Sequence, residues 1–218
     1  MAGLVMHDLE LFAFGDFGRG GAEILRGERI QTFPAPQRSP PSLADVTLVT
    51  QFSVNRFERF QGIVANWRGP ISVVIHLVNP WDIFTFWDFL LQSTPNTLEN
   101  VTFTVYQPDY RVDFRHYPIN RLRNLGILAA VTDTIFVIDA DFRPNIGLYP
   151  YLAQFVVPEI QRHSKLAYVV AGLAVVEEYE GKMPDTVEEL RVLYQNGTSC
   201  ITSLIGHGST KYEVFLDQ

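Results

Sequence analysis

"TIFVIDADFRP", Thr134 to Pro144, decides how the chain is read. A short β-branched apolar run, Ile135 to Ile138, leads straight into two aspartates one residue apart, Asp139 and Asp141. Such a run reads as a buried strand. An ionised carboxylate at the end of a buried strand is costly unless a cation, a set of donors or water compensates it. In extended backbone, residues i and i+2 point to the same side, so strand geometry kept through Asp141 turns both carboxylates to one site. Two hard oxygen ligands at a strand end suit Mg2+ or Mn2+, with the remaining positions going to water and phosphate oxygens. The same residues also fit a strand terminus whose aspartates cap the next turn or pair with Arg143.

Outward from this stretch, strands and helices alternate. Val46–Thr50, Ile71–Val78, Val101–Tyr106 and Leu166–Val176 read as further strands. Helices are predicted over Ser53–Trp67 with Ser53 as cap, from Pro80-Trp81 onward, and over Pro118–Val131, which starts on proline as helices can. Gly147–His163 is mostly helical, with Pro150 and Pro158 shortening or kinking it. Asp185–Gln195 is a helix with Asp185 and Glu188 at capping-box spacing. Alternation of this kind implies an α/β fold: a Rossmann-like, mainly parallel sheet flanked by helices. Open sheets of this type bind ligands beyond the carboxyl ends of their strands, where Asp139 and Asp141 fall.

Residues 1–44 differ from the rest and read as an extension, glycine-rich over Gly15–Glu28 and proline-rich over Pro34–Pro41. The glycines lack the Gly-Lys-Ser/Thr ending of a phosphate loop. Residues 45–218 carry the regular pattern. With 218 residues, 47% of them hydrophobic, the chain can build one sizeable core. A net charge of -7 argues against a broad nucleic-acid partner. The single cysteine, Cys200, excludes an internal disulfide and a cysteine-built zinc site. No segment has the apolar length of a membrane span, and the N-terminus lacks the basic start of a signal peptide.

The helix before the decisive strand adds a second set of groups. Asn120, Arg123 and Asn124 fall at i, i+3 and i+4 and share one face. Arg121 and Arg123 lie near the helix N-terminus, where the macrodipole disfavours cations, so an anion there would compensate them. They could instead reach solvent or pair with carboxylates such as Asp109 or Asp113. Thr50, Gln51 and Ser53, at the end of the first regular strand, are small polar groups able to read a base or ribose, or to serve as turn and cap residues. His76 lies inside an apolar strand and reads as a core histidine. His207, flanked by glycines in "IGHGSTKYE", stands apart from the other histidines.

"VTLVTQFS", "WRGPISVVIHL", "YPINRLRN", "FVIDADFRPNIGLYPYL" and "GHGSTKY" occur in an order that resembles glycosyltransferase family 49, the family of LARGE-type dystroglycan beta-glucuronyltransferases. The likeness covers most of Asp45 to Tyr212. It implies a GT-A-like fold and inverting, Mn2+- (or Mg2+-) dependent transfer from a UDP-sugar, UDP-glucuronate above all, to a glycan or glycoprotein acceptor. Asp139 and Asp141 match the family's D-x-D motif. Asp141 would ligate the metal and Asp139 would face ribose and metal. Arg123 and Asn124 match its R-N pair beside the donor, with Asn120 one turn earlier. Thr50 and Gln51 match the nucleotide-side loop, and His207 the Gly-His element on the acceptor side. Glu177 falls near a family glutamate. The resemblance also implies a Golgi membrane or lumenal address.

Two departures stand out. Ala140 occupies the middle of the D-x-D motif, where the family usually carries a larger aliphatic residue. Family members also continue well past the Gly-His element, so the glycosyltransferase domain is expected to be incomplete at its C-terminus. The catalytic base is therefore left unassigned. Two other readings compete: a truncated, donor-binding or inactive relative, and a haloacid-dehalogenase-like phosphatase. The phosphatase also uses D-x-D, but after its first strand and with Thr or Val where Arg143 stands here.

Overall fold

In a computed structural model of the chain, residues 27–36, 45–94, 96–112, 117–163, 165–170, 172–175, 184 and 186–201 are described. The chain divides into two units between His163 and Ser164. The first is built on a five-stranded sheet: β1 (Arg29–Phe33), β2 (Val46–Ser53), β3 (Ile71–His76), β4 (Val101–Gln107) and β5 (Thr134–Val137). Their spatial order is β1-β4-β3-β2-β5. β2 pairs parallel with β3 and β5, and β3 parallel with β4, while β1 closes the far edge antiparallel to β4.

The strands are joined by α1 (Phe57–Asn66), α2 (Asp82–Gln92) and α3 (Ile119–Leu128). α1 buries Phe57, Phe60, Ile63 and Val64, an apolar stripe at helical spacing. Together with Ile83, Phe86 and Phe89 of α2 it covers the sheet face formed by Leu48, Phe52, Val73, Ile75 and Phe103. The rings of Phe57 and Phe89 stack at 4.2 Å. Residues of the opposite parity, such as Val49, Ser72 and Val74, face α3. There Gly126 lets the helix approach: a Cβ on it would stand 2.8 Å from Val49 Cγ1. The Ser72 hydroxyl donates to the Gly126 carbonyl at 2.7 Å.

Several expectations need correction. Arg29–Phe33, assigned above to the N-terminal extension, is an edge strand with Phe33 buried in the core. It escapes notice because five residues between glycine- and proline-rich segments show no long period. The strand before Asp139 is not buried: β5 is the sheet's edge among the described residues, and Val137 is 40% exposed. The Leu166–Val176 run does not join the main sheet. Among its described residues only β6 (Leu173–Val175) is a strand, and it pairs antiparallel with β7 (Ser199–Ile201) in a separate two-stranded sheet of the second unit.

Ser53 ends β2 rather than capping α1, and a 3-10 turn, Val54–Arg56, intervenes. Gly147–His163 is realised as α4 (Leu148–Tyr151), a π-helical turn (Leu152–Val156) and α5 (Val157–Arg162). In the second unit α6 (Val187–Gln195) carries its capping box on Thr186 and Glu189, one residue later than predicted; Asp185 lies outside the described residues. No helix among the described residues is long and apolar enough to cross a membrane.

Candidate functional site

The chain runs from β2 through β3 to β4 in one direction, then crosses by α3 to the other side of β2 to form β5. The strand order thus reverses between β2 and β5. In open α/β sheets the crevice at such a reversal, outside the carboxyl ends of the strands, is where ligands bind. Here those ends carry Gln51 and Asp139. The ladder extends to them through the Ile138 N–H, which donates to the Val49 carbonyl at 3.0 Å.

Past Ile138 the backbone turns. The Phe142 N–H donates to the Asp139 carbonyl at 3.0 Å, closing a turn over Asp139–Phe142. This breaks the extended geometry on which one-sided carboxylates were expected. Ala140 is buried in the core cluster, which pins the middle of the motif. The two carboxylates then engage different elements. Asp139 Oδ1 accepts from Arg123 at 2.6 Å and from Gln51 Nε2 at 3.3 Å. Asp141 Oδ1 accepts from Arg56 at 2.8 Å and also from Arg59. Arg123 belongs to α3, Arg56 and Arg59 to the start of α1, so helices on opposite faces of the sheet each hold one aspartate.

The other candidates sort by geometry. Gln51 and Arg123 meet at Asp139, and both retain buried atoms without a hydrogen-bond partner, Gln51 Oε1 and Arg123 Nε. Thr50 points to the α1 face, away from Gln51, and its buried hydroxyl is also unpartnered. It is therefore not beside Asp139 through its side chain. Asn120 and Asn124 are exposed on α3. Arg121 pairs with Glu28 and lies over the Tyr106 ring at 5.7 Å, so its charge is answered there rather than at Asp139 or Asp141. Arg143 donates to Asn66 rather than to the aspartates. His207, Glu177 and Asp113 lie outside the described residues.

Three residues at this end of the sheet escaped the sequence reading. Arg56 and Arg59 flank the N-terminus of α1. The signal that singled out Arg121 and Arg123, cations where the helix dipole opposes them, applies equally to these two. Tyr117 is the third. Burial, reinforced by the charge of Asp139 and opposed by Arg123, pushes its hydroxyl up to about 12, so it stays a neutral donor and acceptor. Beyond it His76 is 2% exposed with neither ring nitrogen partnered, against the rings of Tyr117 and Tyr106. Burial lowers its pKa, with the charge of Asp82 pulling the other way, which favours the neutral imidazole. A groove of about 260 Å³ lined by Gln61, Val64, Phe89 and Leu98 includes none of these residues.

The donor set can be tested against a divalent cation. Both aspartates use only Oδ1 in hydrogen bonds among the described residues. Their side chains are 49% and 55% exposed, so each Oδ2 is open to a hard cation. The described residues form no group of three or more acidic, histidine or cysteine ligands, so water and ligand oxygens would have to complete the shell. Two carboxylates facing three arginines form an arrangement suited to a cation bound together with an anion. Asp139 and Asp141 fit that group.

A mainly parallel, helix-flanked sheet with two aspartates at its strand-order reversal is consistent with a GT-A-like fold. Comparison with known proteins agrees. Residues 90–201, more than half of the chain, match the family described as glycosyl-transferase for dystroglycan, and the chain belongs to that family. It is 32% identical over 187 residues to xylosyl- and glucuronyltransferase LARGE2 of Rattus norvegicus, covering 83% of this chain and 26% of that protein. Xylosyl- and glucuronyltransferase LARGE1 of Homo sapiens is 29% identical over 157 residues, covering 71% of this chain and 20% of its own length. The chain thus spans about a fifth to a quarter of the length of these relatives.

Proposed function

We propose that this domain binds a UDP-sugar together with Mn2+ or Mg2+ and transfers the sugar, with inversion, to a glycan or glycoprotein acceptor in the Golgi. The observation that carries this reading is the convergence of Gln51, Arg123 and Asp139 at the strand-order reversal, each with hydrogen-bonding capacity left over. Asp141, with Asp139 toward ribose and metal, would hold the cation, which would supply positive charge against the diphosphate and so favour UDP as a leaving group. Arg123, freed in part from Asp139, would place a planar fork on the phosphate oxygens. Gln51 Oε1 and the neutral Tyr117 hydroxyl would receive uridine polar groups. The relatives' names carry both xylosyl and glucuronyl transfer, and the donor proposed for this domain is UDP-glucuronate. Inversion requires a base within hydrogen-bonding reach of the acceptor hydroxyl, and that group is not assigned.

Calorimetry of UDP with and without Mn2+ tests the reading. UDP should bind far more tightly with the metal, and Asp141→Asn should abolish the metal dependence while the thermal midpoint stays within a few degrees. Unchanged metal-dependent binding in that variant would remove Asp141 from the metal site. Turnover of UDP-glucuronate with a xyloside acceptor would separate a transferase from a donor-binding relative.

A further inference from the structure

Asp141 is over-neutralised. One carboxylate oxygen receives two guanidinium groups, Arg56 at 2.8 Å and Arg59 beside it, while Arg123 already balances Asp139. The five side chains together leave one positive charge in excess, and two like charges crowd one acceptor. Such crowding is unfavourable unless an anion shares it. Both arginines use a single NH1 group of their five N–H donors on Asp141, and their side chains are 38% and 55% exposed, so each can swing without disturbing the core. They start from the 3-10 turn and the first turn of α1, directly after the carboxyl end of β2, beside the strand-order reversal.

We propose that Arg56 and Arg59 form a second diphosphate-binding arm, parked on Asp141 until a divalent cation takes that carboxylate. The inference rests on the reading of Asp141 as a metal ligand. A cation on Asp141 must compete with two guanidinium groups, so it binds weakly alone. Once it binds, both arginines lose their partner and turn to the nearest anion, the diphosphate that the same cation holds. Cation and diphosphate then favour each other through one exchange of partners, and the coupling is reciprocal by linkage.

Titrations of Mn2+ alone, UDP alone, UDP with saturating Mn2+, and uridine separate the possibilities, using the full chain and its Arg59→Gln, Arg59→Lys and Arg56→Gln variants. Arg59→Gln should bind Mn2+ alone roughly twofold to fivefold more tightly, because an exposed competing pair has gone. It should bind UDP with Mn2+ on the order of tenfold more weakly, because a charge-assisted bond to phosphate has gone. Arg59→Lys should fall between, and uridine affinity should not move in any variant, which shows that the fold is intact. If the unaltered chain shows no metal-dependent UDP binding, the reading of Asp141 fails and takes this inference with it. If it does, but Mn2+ affinity is unchanged or weakened in Arg59→Gln and Arg56→Gln, or UDP affinity is unchanged, the exchange is wrong while the donor-site reading stands.

Discussion

Arg123 spends one donor on Asp139 and buries its Nε without a partner. A guanidinium so placed is incompletely satisfied, and a phosphate oxygen would complete it. Arg123→Ala should therefore weaken UDP more than uridine, since only UDP carries the charge. The difference should be on the order of tenfold or more, the worth of one charge-assisted hydrogen bond, read by calorimetry of both ligands. His76 makes a different prediction. Its folded pKa lies below the unfolded value of 6.5, so the unfolded chain takes up a proton that the folded chain refuses. Stability is full above that value and is lost as pH falls below it, by up to about 1.4 kcal/mol per pH unit until the folded pKa is reached. Urea denaturation between about pH 7 and pH 5 should show this slope, and His76→Phe should flatten it.

Among the elements, α3 decides the site because it carries Arg123 across β3 and β2. Its distance from the sheet is set at Gly126. A methyl there would meet Val49 at 2.8 Å and Val74 at 3.3 Å, both fully buried and unable to yield. Alanine would gain up to about 1 kcal/mol of helix propensity. Overpacking of a fixed core costs about 1–3 kcal/mol and should win. Gly126→Ala is expected to lower stability by about 1–2 kcal/mol net and to weaken UDP binding by lifting Arg123 from Asp139. Denaturant midpoints and calorimetry on the same preparation would show both. Ser72→Ala, which removes the bond to the Gly126 carbonyl, should cause a smaller loss, about 1 kcal/mol.

At the scale of the whole molecule, the sheet's two edges differ. β1 seals the β4 edge with a five-residue ladder, a Thr32–Thr104 hydroxyl pair at 3.0 Å and the buried ring of Phe33. Glu28, just before it, receives the Tyr106 hydroxyl and pairs with Arg121. Removing residues 1–44 should therefore lower the unfolding midpoint and promote association through the uncovered β4 edge. Phe33→Ala alone should cost about 3–5 kcal/mol, as burial of a whole aromatic ring requires. Thermal unfolding with light scattering would register both effects, and an unchanged midpoint would show that β1 is dispensable.

Local signals were enough to identify the alternation of strands and helices. Buried parallel strands are continuous apolar runs, and helices such as α1 keep an apolar stripe at their own period. That Asp139, Gln51 and Arg123 would gather at one end of the sheet was legible too, because Asp139 and Gln51 come at the ends of apolar strand runs and Arg123 stands near a helix N-terminus. Which side each group faces was not legible. The pleat sends Thr50 to one face and Gln51 to the other, and past the turn at Asp139–Phe142 Asp141 pairs with Arg56 and Arg59 while Asp139 pairs with Arg123. Strand order was equally hidden. That β5 returns to the far side of β2, that Arg29–Phe33 closes the opposite edge and that Leu173–Val175 pairs elsewhere all depend on contacts between residues far apart in the chain. Local propensity and period are properties of neighbouring residues and can be read along the chain. Register, edge and partner choice are set by which distant surfaces bury each other, and only the folded arrangement decides them.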